Sequence, residues 1–246
     1  MTIRQLALAA GAAALLLALL TAAVAGGLPV LTHGEHAVGA AALRFTRAHA
    51  LLRSFLDADA AVQEPVVVRV LLGGGVIGLL LARRWWYAGW LLTVLITSTV
   101  LAGIAKQPLA RARPTWHHPV AVARGYSYPS GHATAGWVLA TVVVLLAVAL
   151  LPASRTRRLV VVLALASAVV VSLDRVFLGV HYPSDVVAGA LAGCLLALLP
   201  WLGLAALRKG RDLTGRPTVT VGPIEEEGRG AGRSARGRPV DPAAAA

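Results

Sequence analysis

Long apolar stretches recur along the chain from Ile3 to Leu207, and short segments with charged side chains separate them. A helix needs about 20 mostly apolar residues to cross a bilayer, because its backbone polar groups must find partners within the helix. Six stretches meet this requirement and predict membrane-spanning helices, at approximately 3–25, 65–82, 86–105, 133–151, 159–177 and 183–207. The pattern therefore predicts an all-α protein, a bundle of six transmembrane helices.

The segment between the first two spans follows another pattern. From 34 to 60, apolar side chains such as Phe45 and Leu52 alternate with charged ones such as Arg47 and Asp57. This mixture is typical of amphipathic helices that lie in the membrane interface. We therefore expect one or two short interfacial helices there, which would cover or support a site at this end of the bundle.

The two ends of the chain need separate interpretations. The first stretch carries Arg4 and small residues around Ala25, as a cleaved signal peptide does, but its length favours an uncleaved membrane anchor. From about Arg211 onward the chain turns to Gly, Pro, Arg and Glu, which bury little apolar surface. We expect one six-span domain over 1–210 and a disordered cytoplasmic tail over 211–246.

Composition supports a membrane protein and excludes several other classes. Hydrophobic residues make up 57% of the 246 positions, charged residues 14%, and the mean hydropathy is +0.73. The net charge of +12 does not indicate nucleic-acid binding, because the basic residues lie between apolar runs and in the tail rather than on a face with aromatic side chains. A single cysteine, Cys194, excludes an internal disulfide and a cysteine-rich metal cluster.

The basic residues also orient the predicted bundle, because short cytoplasmic loops collect Lys and Arg. If the six spans alternate in direction, four basic groups fall on one side of the membrane: Arg4, Arg83-Arg84, Arg155/Arg157/Arg158 and Arg208/Lys209/Arg211. That side is expected to be the cytoplasm. The opposite, extracytoplasmic side then receives the segments 26–64, 106–132 and 178–182.

The extracytoplasmic side carries three clusters of polar residues beside the spans, where charged groups are costly and often functional. The clusters are Lys106 to Pro114, Tyr128 to His132, and Asp174 to Asp185. Arg binds phosphate oxygens in a bidentate manner, Lys acts as a point charge, and a helix start offers free N–H donors. Together the clusters supply the parts needed to bind and cleave a phosphoester.

One pair of residues in the third cluster has a specific local geometry. Pro183 suits the first position of a helix, so Asp185 lies in the first turn and His181 directly before it. A carboxylate there can hold one imidazole nitrogen and leave the other free. Such an imidazole can attack phosphorus, while a second histidine, His132, protonates the leaving oxygen and later activates water.

The three clusters resemble, in order and spacing, the three-part signature of the type 2 phosphatidic acid phosphatase (PAP2) superfamily. The matching motifs are Lys106-x6-Arg113-Pro114, Pro129-Ser130-Gly131-His132 and Arg175-x5-His181-x3-Asp185. Each motif alone occurs easily by chance, whereas three in order on one face of the membrane are specific. The resemblance covers the third to the sixth span directly, and the six-helix layout extends it toward the N-terminus.

The resemblance implies a role for each matching residue. His181 would be the nucleophile that forms a phosphohistidine, Asp185 its orienting partner, and His132 the general acid and then the base. Further side chains and N–H donors would bind the phosphate: Lys106, Arg113, Ser130, Gly131 and Arg175. No metal or other cofactor would be required.

Several residues near the motifs stand outside this pattern. The family usually has Ser or Thr where this chain has Asp174, which would either pair with the arginine after it or reduce the positive charge of the site. Arg111 and Arg124 are expected at the rim, where they would attract an anionic head group. The histidines within 33–36 and 117–118 offer no complete set of metal ligands and are interpreted as loop residues.

The sequence thus predicts an enzyme of the cytoplasmic membrane that hydrolyses a lipid phosphomonoester or pyrophosphate at its extracytoplasmic face. Phosphatidic acid, phosphatidylglycerol phosphate and polyprenyl pyrophosphate are all candidate substrates. Two alternatives stay open: a phosphotransferase that passes the phosphoryl group to a sugar or lipid acceptor, and a non-catalytic lipid-phosphate binding or transport protein. Membrane lipids are the expected partners, nucleic acid is not, and the oligomeric state stays open.

Overall fold

The structure, a computed structural model, describes residues 2–213, and these form eight α-helices and no β-strand. In chain order the helices are α1 (Ile3–Ala25), α2 (Pro29–Ala48), α3 (Ala50–Val62), α4 (Pro65–Leu81), α5 (Trp85–Ile104), α6 (Gly131–Leu150), α7 (Arg155–Phe177) and α8 (Pro183–Leu213). The all-α prediction is therefore confirmed. The tail predicted over 211–246 lies outside the described residues from position 214 onward.

Five helices are individually long and apolar enough to cross a membrane: α1, α5, α6, α7 and the part of α8 that ends at Leu207. The helix α4 has 17 residues, and it meets the same criterion together with α3, from which it is bent by 46°. Length and composition thus give five spans, or six with this pair. The protein is a multi-pass membrane protein, as the apolar pattern predicts.

Two helices, α2 and α3, occupy the segment in which the sequence predicts interfacial helices. They extend beyond the predicted bounds of 34–60, since Pro29 already suits the first position of α2. The α2 helix has 20 residues rather than being short, and its buried side chains include Glu35 and Thr46. Oγ1 of Thr46 donates a 2.8 Å hydrogen bond to the carbonyl oxygen of Phe177, which ties α2 to the end of α7.

The helix α6 packs closely against both α7 and α8. Two glycines of α8 allow this approach. A Cβ atom on Gly189 would lie 2.6 Å from the carbonyl oxygen of Ser130, and one on Gly193 would lie 2.5 Å from that of Thr134. Glycines four residues apart let two helix backbones meet in a membrane. The contact therefore sets the start of α6 against the start of α8.

An apolar core fills the middle of the bundle. It includes Leu72 of α4, Leu91 of α5 and Val138 of α6, all of them buried. Nε1 of Trp90 donates a 3.1 Å hydrogen bond to the carbonyl oxygen of Ala197, so the indole N–H has a partner within this core. Because successive spans alternate in direction, α4, α6 and α8 begin at one end of the bundle, where α5 and α7 end. The predicted site residues lie in or beside these helix ends.

Candidate active site

A polar cavity of about 490 Å³ lies at this end of the bundle. Its lining includes most residues of the three predicted motifs: Lys106, Arg113, Gly131, His132, Arg175 and His181. Asp185 and Ser130 are fully buried and do not line the cavity. The tertiary structure thus brings the three motifs together from segments that lie far apart along the chain.

His181 lies in the turn between α7 and α8, and its side chain is buried. Nη1 of Arg113 lies 2.9 Å from Nε2, and Oδ2 of Asp185 lies 3.4 Å from Nδ1. A guanidinium only donates hydrogen bonds, so Nε2 accepts, and the proton of the neutral ring is on Nδ1, which faces Asp185. Burial lowers the pKa of His181 to about 4, although the hydrogen bond to Asp185 opposes this shift. The imidazole is therefore neutral at neutral pH, with the electron pair of Nε2 directed at Arg113.

The carboxylate of Asp185 is held by donors from several sides. Nη1 of Arg111 lies 2.6 Å from Oδ1, the backbone N–H of Tyr182 donates to Oδ2 at 2.9 Å, and the hydroxyl of Ser127 also donates to Oδ2. Asp185 lies in the first turn of α8, as its spacing predicts, where the helix dipole favours a negative charge. These contacts hold the carboxylate against Nδ1 of His181.

Arg111 and Glu35 belong to this network, and the motifs did not indicate either of them. Nη2 of Arg111 lies 2.7 Å from Oε2 of Glu35, whose Oε1 accepts the N–H of Ser184 at 2.7 Å. The expectation that Arg111 lies at the rim is wrong, since its side chain is 14% exposed and lies between Glu35 and Asp185. Burial opposes the charge of Arg111, but the two carboxylates outweigh it and raise its pKa.

A periodic signal in the sequence points to Glu35. The buried face of α2 consists of residues that are mostly three or four positions apart: Glu35, Gly39, Ala42, Leu43 and Thr46. An acidic residue on such a face needs a buried partner, which here is Arg111.

The histidines near Glu35 were predicted to lie in a loop. His33 and His36 lie instead on α2, so that prediction is wrong for these two residues. Among the side chains that the structure describes, those of residues 2–207, no three from His, Cys, Asp or Glu form a group that can hold a metal ion.

Arg113 and Lys106 are held by backbone carbonyls rather than by carboxylates. Arg113 donates to the carbonyl oxygens of Gly125 at 3.0 Å and Val180 at 2.8 Å, and Nζ of Lys106 donates to that of Tyr126 at 3.1 Å. Burial lowers the pKa of both cations, and the charge of Arg113 lowers that of Lys106 further. Since carbonyls orient the two cations without neutralising them, the cavity favours an anion.

Arg175, the third cation, pairs with the residue that departs from the family pattern. Nη2 of Arg175 lies 3.0 Å from Oδ2 of Asp174, and Nε bonds to Oδ1. Both side chains are buried near the end of α7. Asp174 thus pairs with Arg175, one of the two expected outcomes, and takes up two of the three guanidinium nitrogens.

The start of α6 carries His132 and the two residues before it. Nε2 of His132 lies 2.9 Å from Oε2 of Glu64, the residue directly before α4, which the motifs did not indicate. Gly131 lines the cavity, and a Cβ atom there would meet no other atom within 4 Å, so a ligand has room beside the helix start. The N–H of Ser130 donates to the carbonyl oxygen of Asp185 at 2.9 Å, while its buried hydroxyl has no partner in the described part of the chain.

An apolar cavity of about 380 Å³ adjoins the polar one. Its lining includes leucines from α1, α5 and α8: Leu17, Leu101, Leu195 and Leu199. Lys106 and Gly131 line both cavities. A molecule with an anionic head and an apolar tail therefore fits across the boundary between them.

Comparison with known proteins relates one half of the chain to a single family. The family model of the PAP2 superfamily matches residues 87–209, which include all three motifs. Phosphatidylglycerophosphatase B of Bacillus subtilis is 32% identical over 123 residues, 50% of this chain and 60% of that protein. Undecaprenyl-diphosphatase of Sulfolobus acidocaldarius is 36% identical over 109 residues, 42% of this chain and 48% of that protein. The chain thus spans less than two thirds of the length of either relative.

A solved structure has the same fold. The crystal structure of a transmembrane PAP2-type phosphatidylglycerolphosphate phosphatase from Bacillus subtilis matches with a TM-score of 0.66 at 24% sequence identity. The match covers 85% of this chain and 98% of that one. The likeness in fold therefore includes helices that precede residue 87, where the match to the family begins.

Proposed function

Because the chain belongs to the PAP2 superfamily, we propose that it is an integral membrane phosphatase that hydrolyses a lipid phosphomonoester or diphosphate through a phosphohistidine intermediate. The observation that carries this proposal is the environment of His181. Nε2 lies 2.9 Å from a nitrogen of Arg113, and Asp185 contacts the opposite nitrogen of the ring. A buried, oriented and unprotonated imidazole beside cations supports nucleophilic attack on a phosphate.

In the first step, the substrate phosphate binds between Lys106, Arg113 and Arg175. One phosphate oxygen takes the N–H that Arg113 otherwise gives to His181, and Nε2 attacks phosphorus. An N–P bond forms, and the bond between phosphorus and the lipid oxygen breaks. His132 gives its proton to that leaving oxygen, while the cations and the N–H groups at the start of α6 stabilise the negative charge of the transition state.

In the second step, a water molecule attacks the phosphohistidine, and the N–P bond breaks. His132, now neutral, accepts a proton from the water, and inorganic phosphate leaves while His181 is regenerated. Glu64 contacts Nε2 of His132 at 2.9 Å, and a carboxylate there stabilises the protonated ring that the first step requires. Asp185 likewise stabilises the positive charge that His181 carries as a phosphohistidine.

The two adjoining cavities favour a lipid as the substrate. The polar cavity of about 490 Å³ is suited to the phosphate, and the apolar cavity of about 380 Å³ to the beginning of an acyl or prenyl chain. Both relatives are named for phosphorylated lipids, phosphatidylglycerophosphate and undecaprenyl diphosphate. Phosphatidic acid, phosphatidylglycerol phosphate and polyprenyl diphosphates are therefore the substrates to test.

We assign the activity to residues 1–210 and the site to the extracytoplasmic face of the cytoplasmic membrane. The support for this orientation is the basic clusters at the opposite helix ends, such as Arg83-Arg84 and Arg155, because cytoplasmic loops collect Lys and Arg. In this proposal the segment 211–246 takes no part in the reaction. No step uses a metal ion.

Phosphate release by the detergent-purified protein tests this proposal, with the three lipids as substrates and EDTA in the buffer. The wild-type chain is expected to release phosphate, and His181→Ala to lower the rate by about a thousandfold or more. His33→Ala is the matched control, because His33 is an exposed histidine of α2, and it is expected to keep full activity. No release from any lipid by folded wild-type protein, or a wild-type rate in His181→Ala, would contradict the proposal.

A further inference from the structure

A third cavity, of about 190 Å³, extends from the polar cavity into the membrane-spanning part of the bundle. It lies between α4, α5 and α6, and it shares Pro65, Lys106 and Gly131 with the polar cavity. The other residues that line it are mostly apolar, and the charged one among them is Arg69 of α4. The reaction described above makes no use of this arginine.

Arg69 is half-buried in α4, and its side chain makes no hydrogen bond or ion pair with the side chains or backbone of residues 2–207. Glu64, the acidic residue closest to it along the chain, pairs with His132 at 2.9 Å instead. A guanidinium stays charged at all ordinary pH values and is costly in a membrane without a partner. An anionic ligand in this cavity would provide that partner.

The position of Arg69 along α4 indicates which anion this is. Pro65 begins the helix at the polar cavity, and Arg69 follows four residues later, about 6 Å farther along the helix axis toward the middle of the membrane. A lipid that presents its terminal phosphate to the polar cavity extends its tail toward the membrane. A second phosphate in the same headgroup therefore lies on the tail side of the reacting one. The cavity of Arg69 is also on that side, because it adjoins the apolar cavity that is suited to the tail: Ala102, Lys106, Gly131 and Thr134 line both.

We infer that Arg69 binds a second, non-reacting phosphate of the headgroup, which assigns the substrate to lipids with two phosphates. Lys106 lines both cavities and would lie between the two phosphates. In a polyprenyl diphosphate the second phosphate is joined to the first through one bridging oxygen, whereas in phosphatidylglycerol phosphate it is a diester on the other side of a glycerol. Phosphatidic acid carries one phosphate only. The inference rests on the proposed function, which defines the reacting phosphate.

Initial rates of phosphate release by the full-length protein distinguish these lipids. For Arg69→Gln we expect kcat/KM on a two-phosphate lipid to fall about tenfold or more, the loss typical of one charge-assisted hydrogen bond, and on phosphatidic acid by less than about twofold. A fall on the polyprenyl diphosphate alone assigns the adjacent phosphate, and a fall on phosphatidylglycerol phosphate alone assigns the diester. Unchanged values on both two-phosphate lipids, or an equal fall on phosphatidic acid, would overturn the inference.

Two further variants serve as controls. Arg69→Lys keeps the charge without the planar fork of donors, so we expect a smaller loss of the preference for two-phosphate lipids. Arg44→Gln removes an exposed arginine of α2 that lines none of the three cavities, and it is expected to leave all rates unchanged. If Arg69→Gln does not fold, Arg69→Lys takes its place. A ratio of kcat/KM on two-phosphate lipids to kcat/KM on phosphatidic acid that equals the wild-type ratio would then overturn the inference.

Binding of non-cleavable analogues separates this inference from the proposed function. A polyprenyl methylenediphosphonate presents two phosphoryl groups joined by carbon, and a polyprenyl phosphonate presents one. Arg69→Gln is expected to raise the Kd of the first about tenfold and to leave that of the second within about twofold. If the wild-type protein releases no phosphate from any lipid, the proposed function fails, while this comparison still decides the role of Arg69. Equal changes in the two Kd values, or none, would overturn that role.

Discussion

A chain of contacts connects Glu35, which lies outside the motifs, to the candidate nucleophile. Glu35 bonds to Arg111 at 2.7 Å, Arg111 bonds to Asp185 at 2.6 Å, and Asp185 contacts Nδ1 of His181 at 3.4 Å. Glu35 does not line the polar cavity, so its effect on a substrate passes through the other three residues. Removing one charge from a buried network leaves its neighbours unpaired, which is costly. Glu35 is therefore a positioning residue.

Glu35→Gln is expected to lower kcat about tenfold while KM changes by less than about threefold, because the variant disturbs the orientation of Asp185 rather than the phosphate contacts. The free energy of unfolding should fall by about 3 kcal/mol, since Arg111 keeps only one of its two carboxylate partners. Kinetics of phosphate release and denaturant unfolding measure the two effects. The control for the unfolding measurement is Asp57→Asn, which breaks the half-exposed Arg53–Asp57 pair at 3.7 Å and should lower the free energy of unfolding by less than about 0.5 kcal/mol. A wild-type kcat in Glu35→Gln would rule out the positioning role.

The buried ring of His181 makes stability depend on pH. Its pKa in the folded protein is about 4, below the ordinary value of 6.5, so the unfolded chain binds more protons between these two values. The stability gained by burying the neutral ring is present above pH 6.5 and is lost as the pH falls toward 4. We expect the unfolding temperature of the wild type to fall more steeply across this range than that of His181→Asn, which does not titrate there. If the unfolding temperatures of the two proteins fall in parallel as the pH is lowered, burial does not lower the pKa of His181.

At the scale of elements, the contact between α6 and α8 determines where the start of α6 lies. That start carries Ser130, Gly131 and His132, and Gly189 of α8 packs against it. Gly189 lines none of the three cavities described above. A change at this glycine therefore acts on the site only by moving one helix against the other.

Gly189→Ala is expected to lower the free energy of unfolding by about 1–3 kcal/mol, because its Cβ atom would lie 2.6 Å from a backbone oxygen and force the helices apart. Phosphate release should fall about tenfold or more, since a small displacement of catalytic groups is expensive. Gly203→Ala in the same helix is the control. A Cβ atom there meets nothing within 4 Å, so full activity and a gain of up to about 1 kcal/mol are expected. Similar behaviour of the two variants would contradict this account of the helix contact.

Element boundaries show what an apolar pattern omits. The span predicted at 159–177 is observed as α7, which begins at Arg155, because Ser154 caps the helix and accepts the N–H of Arg157 at 3.1 Å. The apolar pattern predicts only the part of a helix that suits lipid, whereas the helix itself also continues through charged residues outside the membrane. The helices α2 and α3 also extend beyond the segment predicted as interfacial, and α2 does so because Pro29 suits its first position. The order of the spans was predictable from the apolar pattern, whereas the start of α7 depended on its cap.

At the scale of the whole molecule, the orientation in the membrane rests on the distribution of Arg and Lys. Single-cysteine labelling tests it, in a Cys194→Ala background. Val122→Cys lies in the exposed segment between α5 and α6, and Thr156→Cys lies at the exposed start of α7, at the opposite end of the bundle. A membrane-impermeant maleimide is expected to label Val122→Cys in intact cells, and Thr156→Cys only after permeabilisation. The reverse pattern would place the candidate site on the cytoplasmic side.

The sequence by itself determined the all-α class, the order of the spans and the family, because these depend on local requirements. A helix in lipid must satisfy its own backbone and present apolar side chains, and the residues within each family motif lie close together along the chain. The roles of Lys106, Arg113, Ser130, Gly131, His132, Arg175, His181 and Asp185 stay predictions, although the structure brings these residues together.

Only the tertiary structure decided the contacts between helices that are distant along the chain. Glu35 reaches Arg111 because α2 packs across the start of α8, and Glu64 reaches His132 because α4 begins beside α6. Arg69 lines a cavity because α4, α5 and α6 leave a space between them. Faces that contact lipid and faces that contact other helices are both apolar, so composition and spacing do not show which side of one helix meets which side of another. Lateral packing makes that choice, and the partners of the buried charges follow from it.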